Sequence, residues 1–377
     1  MKSSKKTILV IGHSLNEERQ RSLFETRQFK DYNISLAVPK FWNKEENKPY
    51  VQGGIQVIPL NGLFLGNFTR YVLLGLKKLI EKIKPNLIYL QAEPWSAMAI
   101  CCSRLSKKTK IPLIIYSYEN LEKVYKRREK KYFGLSKLTE KYVLKHTKGI
   151  LAGNSDAKKI ILKNGFKGKI KVLPISGIDE KKFKKFKYST KKNFDVEKKK
   201  VVLYLGRMIK EKGIEDIFES IPFVLRKLKN VIFLFVGSGD YLEKAKDFAI
   251  KNNITHYVKF LKDVDYSEVP KIMNAADLFI SPSQKTPYWE EQFGFAIAGA
   301  LSCGLPVIST KTGAIPEFFG KYSYLVKERD PKELSENIIN VIKKDFKKEG
   351  YEGEYSLDNV AKNTIKFFKE ICPDLIK

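Results

Sequence analysis

The sequence has few of the residues that build metal centres and disulfides, and it is poor in acidic residues. Its 377 residues include 4 cysteines and 3 histidines, and 42 aspartates and glutamates stand against 71 lysines and arginines. Cys101, Cys102, Cys303 and Cys372 lack the spacing of metal ligands, and the histidines are scattered along the chain. We therefore expect reduced cysteines in small core positions and no metal site.

Long hydrophobic runs are also missing. No run of about 18 apolar residues occurs, so no transmembrane helix is expected. The basic start, residues 1–6, leads into an apolar stretch over 7–12 that is too short for a signal peptide. We interpret this stretch as a buried first strand. The expected location is cytoplasmic, with peripheral attachment to the cytoplasmic membrane face left open.

The net charge of +29 has two competing explanations. It favours an anionic partner, such as nucleic acid or an anionic membrane surface, but a lysine-rich composition would also leave a solvated basic surface. Basic residues concentrate over 123–148, where Tyr125, Tyr132, Phe133 and Leu135 lie among them. This pattern suggests contact with an anionic membrane surface. Nucleic acid is not expected as a partner, because no recognised binding module occurs.

Short apolar runs alternate with amphipathic stretches along the whole chain. The runs predict strands over residues 7–12, 34–39, 55–60, 87–90, 111–117 and 149–152, and then over 201–206, 231–236, 258–260, 278–281, 306–309 and 324–326. Helices are predicted between them, among them 70–83, 95–105, 135–145, 155–164, 214–227, 241–251, 266–275, 294–303, 331–343 and 357–370. Such alternation indicates parallel, doubly wound sheets of the α/β class.

The length suits two domains better than one core. We predict an N-terminal domain over residues 1–178, a basic connector over 179–200 and a C-terminal domain over 201–355. A C-terminal helix follows over 356–377, and its return to the N-terminal domain stays open. Two Rossmann-like domains that face a central cleft are the simplest construction.

One segment of the second domain combines an acidic residue with the start of a helix. Glu291 precedes Phe293, Gly294 and Phe295, and a helix of small apolar residues begins there. A helix N-terminus presents free N–H groups to an anion, and a carboxylate beside it can accept hydrogen bonds from hydroxyl groups. A nucleotide-diphosphate sugar requires this pair of features.

Cationic residues follow the first strand of the same domain. Gly206 frees the backbone at the strand end, and Arg207 and Lys212 supply two positive charges suited to a diphosphate. Gly237 lies in a second glycine turn after a strand, where a tight structural turn is an equally good explanation. Glu317 is interpreted as an acceptor for a ribose or as a structural cap, and the structural role is favoured.

The first domain has polar residues at several strand ends. His13 ends the first strand, Glu93 follows the strand over 87–90, and Glu119 with Asn120 follows the strand over 111–117. Because these strands belong to one predicted sheet, all four side chains are expected at one edge. A strand-end structural role for His13 and helix capping by Asn120 stay open as alternatives.

Together these motifs resemble family 4 of the retaining glycosyltransferases with the GT-B fold, also called glycosyltransferase group 1. The resemblance covers nearly the whole chain. It implies that Arg207 and Lys212 contact the phosphates of a nucleotide-diphosphate sugar. It implies that Glu291 is the first of two site glutamates, while Gly299 stands where the second would be. A glutamate at position 299 is therefore expected to tighten nucleotide binding.

The resemblance also implies the chemistry and the partners. The first domain, with His13 and Glu93, would receive a glycan or a lipid-linked acceptor, and Glu119 with Asn120 would stand in for a family histidine. No cofactor and no metal are required, and the leaving diphosphate would take the acceptor proton. A catalytically weak sugar-nucleotide-binding partner of another transferase is the main alternative. A sugar epimerase of this fold lacks support from the first-domain motifs.

Overall fold

The computed structural model describes residues 5–15, 17–124, 127, 135–262, 264–344 and 350–376. The chain forms two compact units. Unit 1 comprises Met1–Gly177 and Tyr355–Lys377, and unit 2 comprises Ile178–Glu354. The C-terminal helix therefore belongs to unit 1.

Unit 1 is built on a mostly parallel sheet. Its strands are β1 (Lys6–Ile11), β2 (Tyr32–Pro39), β3 (Phe41–Trp42), β4 (Glu45–Glu46), β5 (Tyr50–Gln52), β6 (Ile55–Leu60), β7 (Gly62–Leu63), β8 (Val72–Leu73), β9 (Leu87–Gln91), β10 (Leu113–Ser117), β11 (Gly149–Ala152) and β12 (Lys169–Val172). The pairs β3–β4 and β7–β8 form two separate two-stranded antiparallel sheets. The order in the main sheet is β12-β11-β10-β9-β1-β2-β6-β5, and β5 alone of these strands runs antiparallel to its neighbour. Apolar residues fill both faces of the central strands, as a covered parallel sheet requires.

Helices cover this sheet on both sides. They are α1 (Glu18–Glu25), α2 (Leu76–Ile83), α3 (Ala97–Thr109), α4 (Leu135–His146) and α5 (Ser155–Lys163), joined by α12 (Leu357–Ile371) from the end of the chain. Phe367 and Phe368 of α12 are buried in the core, and the ring of Phe368 lies 4.9 Å from that of Tyr89. The amphipathic pattern of α12 thus has its apolar face against the unit 1 sheet.

Unit 2 has a fully parallel sheet of six described strands. They are β13 (Lys200–Leu205), β14 (Val231–Val236), β15 (Val258–Leu261), β16 (Leu278–Ser281), β17 (Val307–Thr310) and β18 (Ser323–Val326). The order β15-β14-β13-β16-β17-β18 is the 3-2-1-4-5-6 order of the Rossmann fold. Its helices are α6 (Ile214–Lys227), α7 (Leu242–Lys251), α8 (Val269–Ala275), α9 (Phe295–Ser302), α10 (Ile315–Phe319) and α11 (Pro331–Lys344).

The stretch predicted as a separate connector is part of unit 2. Phe183 is buried there, and the backbone N–H of Phe186 donates to Asn274 at 2.7 Å. Lys191 forms an ion pair with Asp277 at 2.6 Å. These contacts hold the segment against the unit 2 core, where Phe183 packs, while most of its lysines and Tyr188 are exposed.

Candidate functional site

The strand order of unit 2 defines where a ligand can approach. The order reverses between β13 and β16, and open α/β sheets bind ligands outside the carboxyl ends of the strands at such a point. Gly206 and Arg207 follow β13, and Ser283 lies two residues beyond β16. The first of the predicted donor residues of unit 2, Gly206 and Arg207, therefore lie at the switch point.

Close backbone packing shapes the turns at this edge. Gly213 has φ +67°, and a Cβ there would lie 1.9 Å from the carbonyl oxygen of Pro282. Gly237 has φ +131°, and a Cβ there would lie 2.1 Å from the carbonyl oxygen of Gly206. Only glycine fits these two positions. The turn after β14 thus touches the turn after β13.

Lys212 and Glu291 form the central polar pair of this edge. Lys212 Nζ lies 2.5 Å from Glu291 Oε2, and both side chains are mostly buried. Ser283 Oγ donates to the same carboxylate oxygen at 3.3 Å. Lys212 Nζ also lies 4.8 Å from the ring centre of Trp289, a cation–π distance. The ion pair is thus fixed by its own contact, by the hydrogen bond from Ser283 and by the ring of Trp289.

The Phe-Gly-Phe turn leads into α9. Gly294 is the N-cap residue with φ +100°, and no side chain caps the helix. The ring of Phe293 is buried, 4.9 Å from that of Phe318 and 5.2 Å from that of Phe319. The aromatic cluster fixes the turn, and Gly294 has no side chain with which to cap the first N–H groups of α9. Position and dipole together favour an anion at this helix end.

The structure corrects the expectation for Gly299. A Cβ at this position would lie 3.2 Å from Met273 Cε and 3.2 Å from Phe183 Cδ1. Residue 299 therefore faces a packed apolar contact inside unit 2. A glutamate there would collide with Phe183, so the predicted gain in nucleotide binding from Gly299→Glu does not follow from this geometry.

The remaining predicted residues of unit 2 are more exposed. Arg207 is exposed beside the switch point, and its carbonyl oxygen accepts a hydrogen bond from Tyr204 Oη at 2.7 Å. Glu317 is exposed in the first turn of α10. Phe295 follows the turn and packs edge-on against Phe293 at 4.9 Å.

Unit 1 has its own switch point, between β1 and β9. A cavity of about 220 Å³ lies there. Its lining residues are His13, Phe68, Thr69, Tyr71, Gln91, Ala92, Glu93, Trp95, Tyr118 and Glu119. The cavity thus brings together three of the four residues predicted for this domain. The fourth, Asn120, is buried and does not line it.

Glu93 is the most buried carboxylate of the cavity. Its Oε2 accepts from Ser117 Oγ at 2.6 Å, and its Oε1 accepts from the backbone N–H groups of Tyr118 at 2.8 Å and Glu119 at 3.0 Å. Burial raises the pKa of Glu93 to about 7, although these hydrogen bonds oppose the shift. Glu93 thereby ties the end of β9 to the loop after β10.

His13 lies among aromatic rings. Its imidazole is 4.7 Å from the ring of Trp42, 5.3 Å from Phe68 and 6.2 Å from Tyr71. Burial lowers the pKa of His13 to about 4, so the ring is neutral at physiological pH. This position among aromatic rings fits both an acceptor-side role and the structural role that the sequence left open.

Sequence reasoning missed Tyr71 altogether. It lies just before β8, in a region whose two-residue strands leave no periodic pattern, and the sequence predicted a helix over 70–83. The helix begins at Leu76, after Gly75 with φ +78°. Gln91 and Tyr118 also line the cavity. Their places in the sequence, beside Glu93 and Glu119, could have indicated this.

Within the described ranges, no group of three or more histidine, cysteine, aspartate or glutamate side chains could hold a metal ion. In the same part of the chain, every helix is too short or too polar to cross a bilayer.

Comparison with known proteins agrees with the geometry of unit 2. Residues 185–356 match the family model described as glycosyl transferases group 1. The spore coat protein SA of Bacillus subtilis is 27% identical over 174 residues, 44% of this chain and 45% of that protein. A GDP-mannose-dependent monoacylated alpha-(1-6)-phosphatidylinositol monomannoside mannosyltransferase of Corynebacterium glutamicum is 29% identical over 175 residues, 44% of this chain and 45% of that protein. These matches span less than half the length of either relative.

Solved structures match nearly the whole chain. A glycosyltransferase from Rickettsia africae has a TM-score of 0.74 at 19% identity and covers 98% of this chain and 99% of its own. HepE of Anabaena, solved in complex with UDP-glucose, has a TM-score of 0.65 at 17% identity and covers 98% of each chain. The chain therefore has the two-domain α/β fold of these proteins, the GT-B fold, and the segment that matches the glycosyl transferases group 1 model lies almost wholly in unit 2.

Proposed function

We propose that this chain is a retaining glycosyltransferase that moves a sugar from a nucleotide-diphosphate sugar to a glycan or a lipid-linked acceptor. The observation that carries the proposal is the Lys212–Glu291 pair at the switch point of unit 2, whose glutamate lies on the loop that leads into the N-terminus of α9. An ammonium group and the N–H groups of a helix N-terminus suit a diphosphate, and the adjacent carboxylate suits sugar hydroxyls.

Each group has a distinct task in this proposal. Lys212, Arg207 and the N–H groups after Gly294 stabilise the negative charge that grows on the leaving diphosphate. Glu291 accepts hydrogen bonds from the donor sugar and positions it. The leaving phosphate oxygen takes the proton of the acceptor hydroxyl on the same face of the sugar, so the anomeric configuration is retained without a protein nucleophile.

Two comparisons lend support to the choice of donor. The Anabaena neighbour was solved with UDP-glucose, and the Corynebacterium relative is GDP-mannose-dependent by name. Both donors are nucleotide-diphosphate sugars. They differ in base and sugar, so the proposal extends to the diphosphate sugar class and not to one member of it.

The alternative is a catalytically weak partner that binds a sugar nucleotide for another transferase. The packing of Phe183 against Gly299 favours this reading, because the second glutamate of the resembling family has no counterpart there. Loss of a hydrogen bond to a charged group costs roughly 1.5–3 kcal/mol. Such a loss weakens nucleotide binding and leaves the phosphate contacts in place.

The test is a donor screen with the purified full chain. UDP-, GDP-, ADP- and dTDP-sugars are added singly, and thermal shift and donor hydrolysis are measured with and without EDTA. The proposal expects stabilisation and slow hydrolysis by one donor class, both insensitive to EDTA because Arg207 and Lys212 supply the cationic charge. Binding without turnover, with or without added saccharide acceptors, would support the partner instead. Loss of activity in EDTA with recovery in manganese would refute the metal-independent mechanism.

A further inference from the structure

The cavity of unit 1 differs in charge from the rest of the chain. The protein carries 71 lysines and arginines, yet among the described residues none of them lines the cavity. Its titratable lining residues are His13, Tyr71, Glu93, Tyr118 and Glu119. With His13 neutral, these groups supply no positive charge at neutral pH. An anionic group such as a phosphate would enter without a cationic partner, at the cost of its hydration.

Two polar atoms in the cavity wall lack partners within the described structure. The hydroxyl of Tyr71 and Oε1 of Gln91 are buried and make no hydrogen bond there. The side chains as a whole are 0% and 5% exposed. Buried polar groups are normally satisfied, so each unmatched atom indicates a missing partner. The phenol can donate and accept, whereas the amide oxygen can only accept.

A ligand that matches this wall must donate and accept hydrogen bonds and also present apolar faces. Rings of Phe68, Trp95 and Tyr118 form much of the remaining wall. A pyranose has hydroxyl groups around its edge and C–H groups on its faces, which suit aromatic surfaces. The volume of about 220 Å³ lies below the roughly 300–1,000 Å³ of pockets for drug-sized ligands. One sugar unit fits that size better than a whole nucleotide sugar.

We propose that this cavity binds one neutral saccharide unit, the terminal sugar of the acceptor, through Tyr71 and Gln91. The inference rests on the proposed transferase function and narrows its acceptor. A phosphate-linked lipid would bind here by an intervening neutral sugar and not by its phosphate.

The first experiment is a titration of the full chain followed by saturation-transfer NMR. The probes are methyl glycosides of glucose, galactose, mannose and N-acetylglucosamine, and the 6-phosphates of the same hexoses. At least one neutral glycoside is expected to bind at least tenfold more tightly than any phosphorylated sugar. Tighter binding of a phosphorylated sugar, or no binding by any of the neutral glycosides, would overturn the proposal. Displacement of the glycoside by a sugar nucleotide but not by the free nucleotide would assign the cavity to the donor sugar and also overturn it.

The second experiment uses Tyr71→Phe and Gln91→Met, which remove the unmatched polar atoms and preserve size. Each is expected to weaken glycoside binding about threefold to tenfold, the range of one hydrogen bond. The melting temperature of Tyr71→Phe should stay equal or rise, since that hydroxyl makes no hydrogen bond in the described structure. Gln91→Met also removes the side-chain hydrogen bond to Tyr89, so its melting temperature is expected to fall. Ser103→Ala removes another unmatched buried hydroxyl, on α3 away from the cavity, and is the matched control.

Measurements of nucleotide binding distinguish the proposed transferase function from the proposed saccharide cavity. UDP and GDP affinity, set by unit 2 residues, should be unchanged in Tyr71→Phe and Gln91→Met. If the wild-type chain binds no nucleotide but binds a neutral glycoside, the transferase proposal fails and the saccharide cavity stands. If nucleotides bind and glycoside affinity is the same in wild type and both variants, the saccharide assignment to Tyr71 and Gln91 is refuted.

Discussion

Lys212 Nζ lies 2.5 Å from Glu291 Oε2 across 79 positions of sequence. The pair joins the turn after β13 to the loop before α9, and the exposed fractions of the two side chains are 17% and 13%. The ammonium therefore has a carboxylate partner within the chain. In the proposed function, a bound diphosphate would share that ammonium, and Glu291 would be released to accept from sugar hydroxyls.

Replacing the cationic residues tests this arrangement. Arg207→Ala and Lys212→Met are each expected to weaken nucleotide-diphosphate binding roughly tenfold to a hundredfold, because each removes a charge-assisted hydrogen bond of about 1.5–3 kcal/mol. Transfer should fall further, since charge on the leaving group grows in the transition state. Isothermal titration with UDP and GDP, and initial rates with the cognate donor, provide the measurement.

A neighbouring lysine supplies the control. Lys210 is exposed in the same short turn, so Lys210→Ala changes the local charge equally without touching Glu291. It should leave affinity within about twofold, as expected for a screened surface charge. Near-normal transfer by both Arg207→Ala and Lys212→Met would remove the donor-site assignment.

Gly299 offers a second test, of packing. Gly299→Glu is expected to lower the melting temperature by several degrees, since the new side chain must displace Phe183 and Met273 and bury a carboxylate beside them. The double variant Phe183→Ala/Gly299→Glu should recover part of this loss by opening space. Thermal unfolding of the two variants and of Phe183→Ala alone closes a mutant cycle. A fully stable Gly299→Glu with tighter UDP binding would restore the expectation drawn from the sequence.

The sequence predicted the sheets well because buried parallel strands are continuous apolar runs. The run over 149–152 became β11 without change, and β13 began one residue earlier than predicted. Errors occurred where backbone chemistry interrupts the pattern. The strand predicted from residue 111 begins at Leu113, after Pro112, which has no N–H for a ladder.

Some residues of the candidate sites could be predicted from local sequence patterns, and others could not. Arg207, Lys212 and Glu291 were predicted from the sequence because strand ends and a Phe-Gly turn leave local signals, and the structure brings Lys212 and Glu291 into contact. Phe183 against Gly299 was not foreseen, since the contact joins a segment that looked like a charged connector to a distant helix. Tyr71 was missed for a similar reason. Long-range packing of aromatic residues from irregular segments carries no local pattern.

A third test concerns pH. Burial raises the pKa of Glu93 from 4.5 to about 7, so the folded state holds this proton more tightly than the unfolded state. The stability contribution is complete below pH 4.5 and is lost as the pH rises through about 7, a change on the order of 3 kcal/mol. Glu93→Gln keeps the shape and removes the titration. Its free energy of unfolding relative to wild type should therefore rise from pH 5 to pH 8.

His13 lies in the same cavity, and its effect on stability changes with pH in the opposite direction. Burial lowers the pKa of His13 from 6.5 to about 4, so its contribution is present above pH 6.5 and is lost as the pH falls towards about 4. His13→Gln should therefore gain stability relative to wild type between pH 6.5 and pH 4. Urea unfolding at half-unit pH steps measures both variants. Identical pH profiles for wild type and both variants would contradict the proposed burial effects.

The last prediction concerns an anionic membrane. The aromatic residues first suspected, Tyr125, Tyr132 and Phe133, lie outside the described residues, but unit 1 also exposes Leu63 and Phe64 by 53% and 65%. With a net charge of +29, such side chains suit shallow insertion at an anionic surface, where each nearby basic residue contributes about 1 kcal/mol. The full chain should cosediment with phosphatidylglycerol vesicles at low salt and be released at high salt.

The double variant Leu63→Ser/Phe64→Ser should weaken vesicle binding about tenfold, because two apolar side chains no longer insert into the bilayer surface. Val51→Ser is the matched control, at a position in β5 that is 74% exposed. Protein that remains in the supernatant would instead assign the basic charge to a solvated, lysine-rich surface.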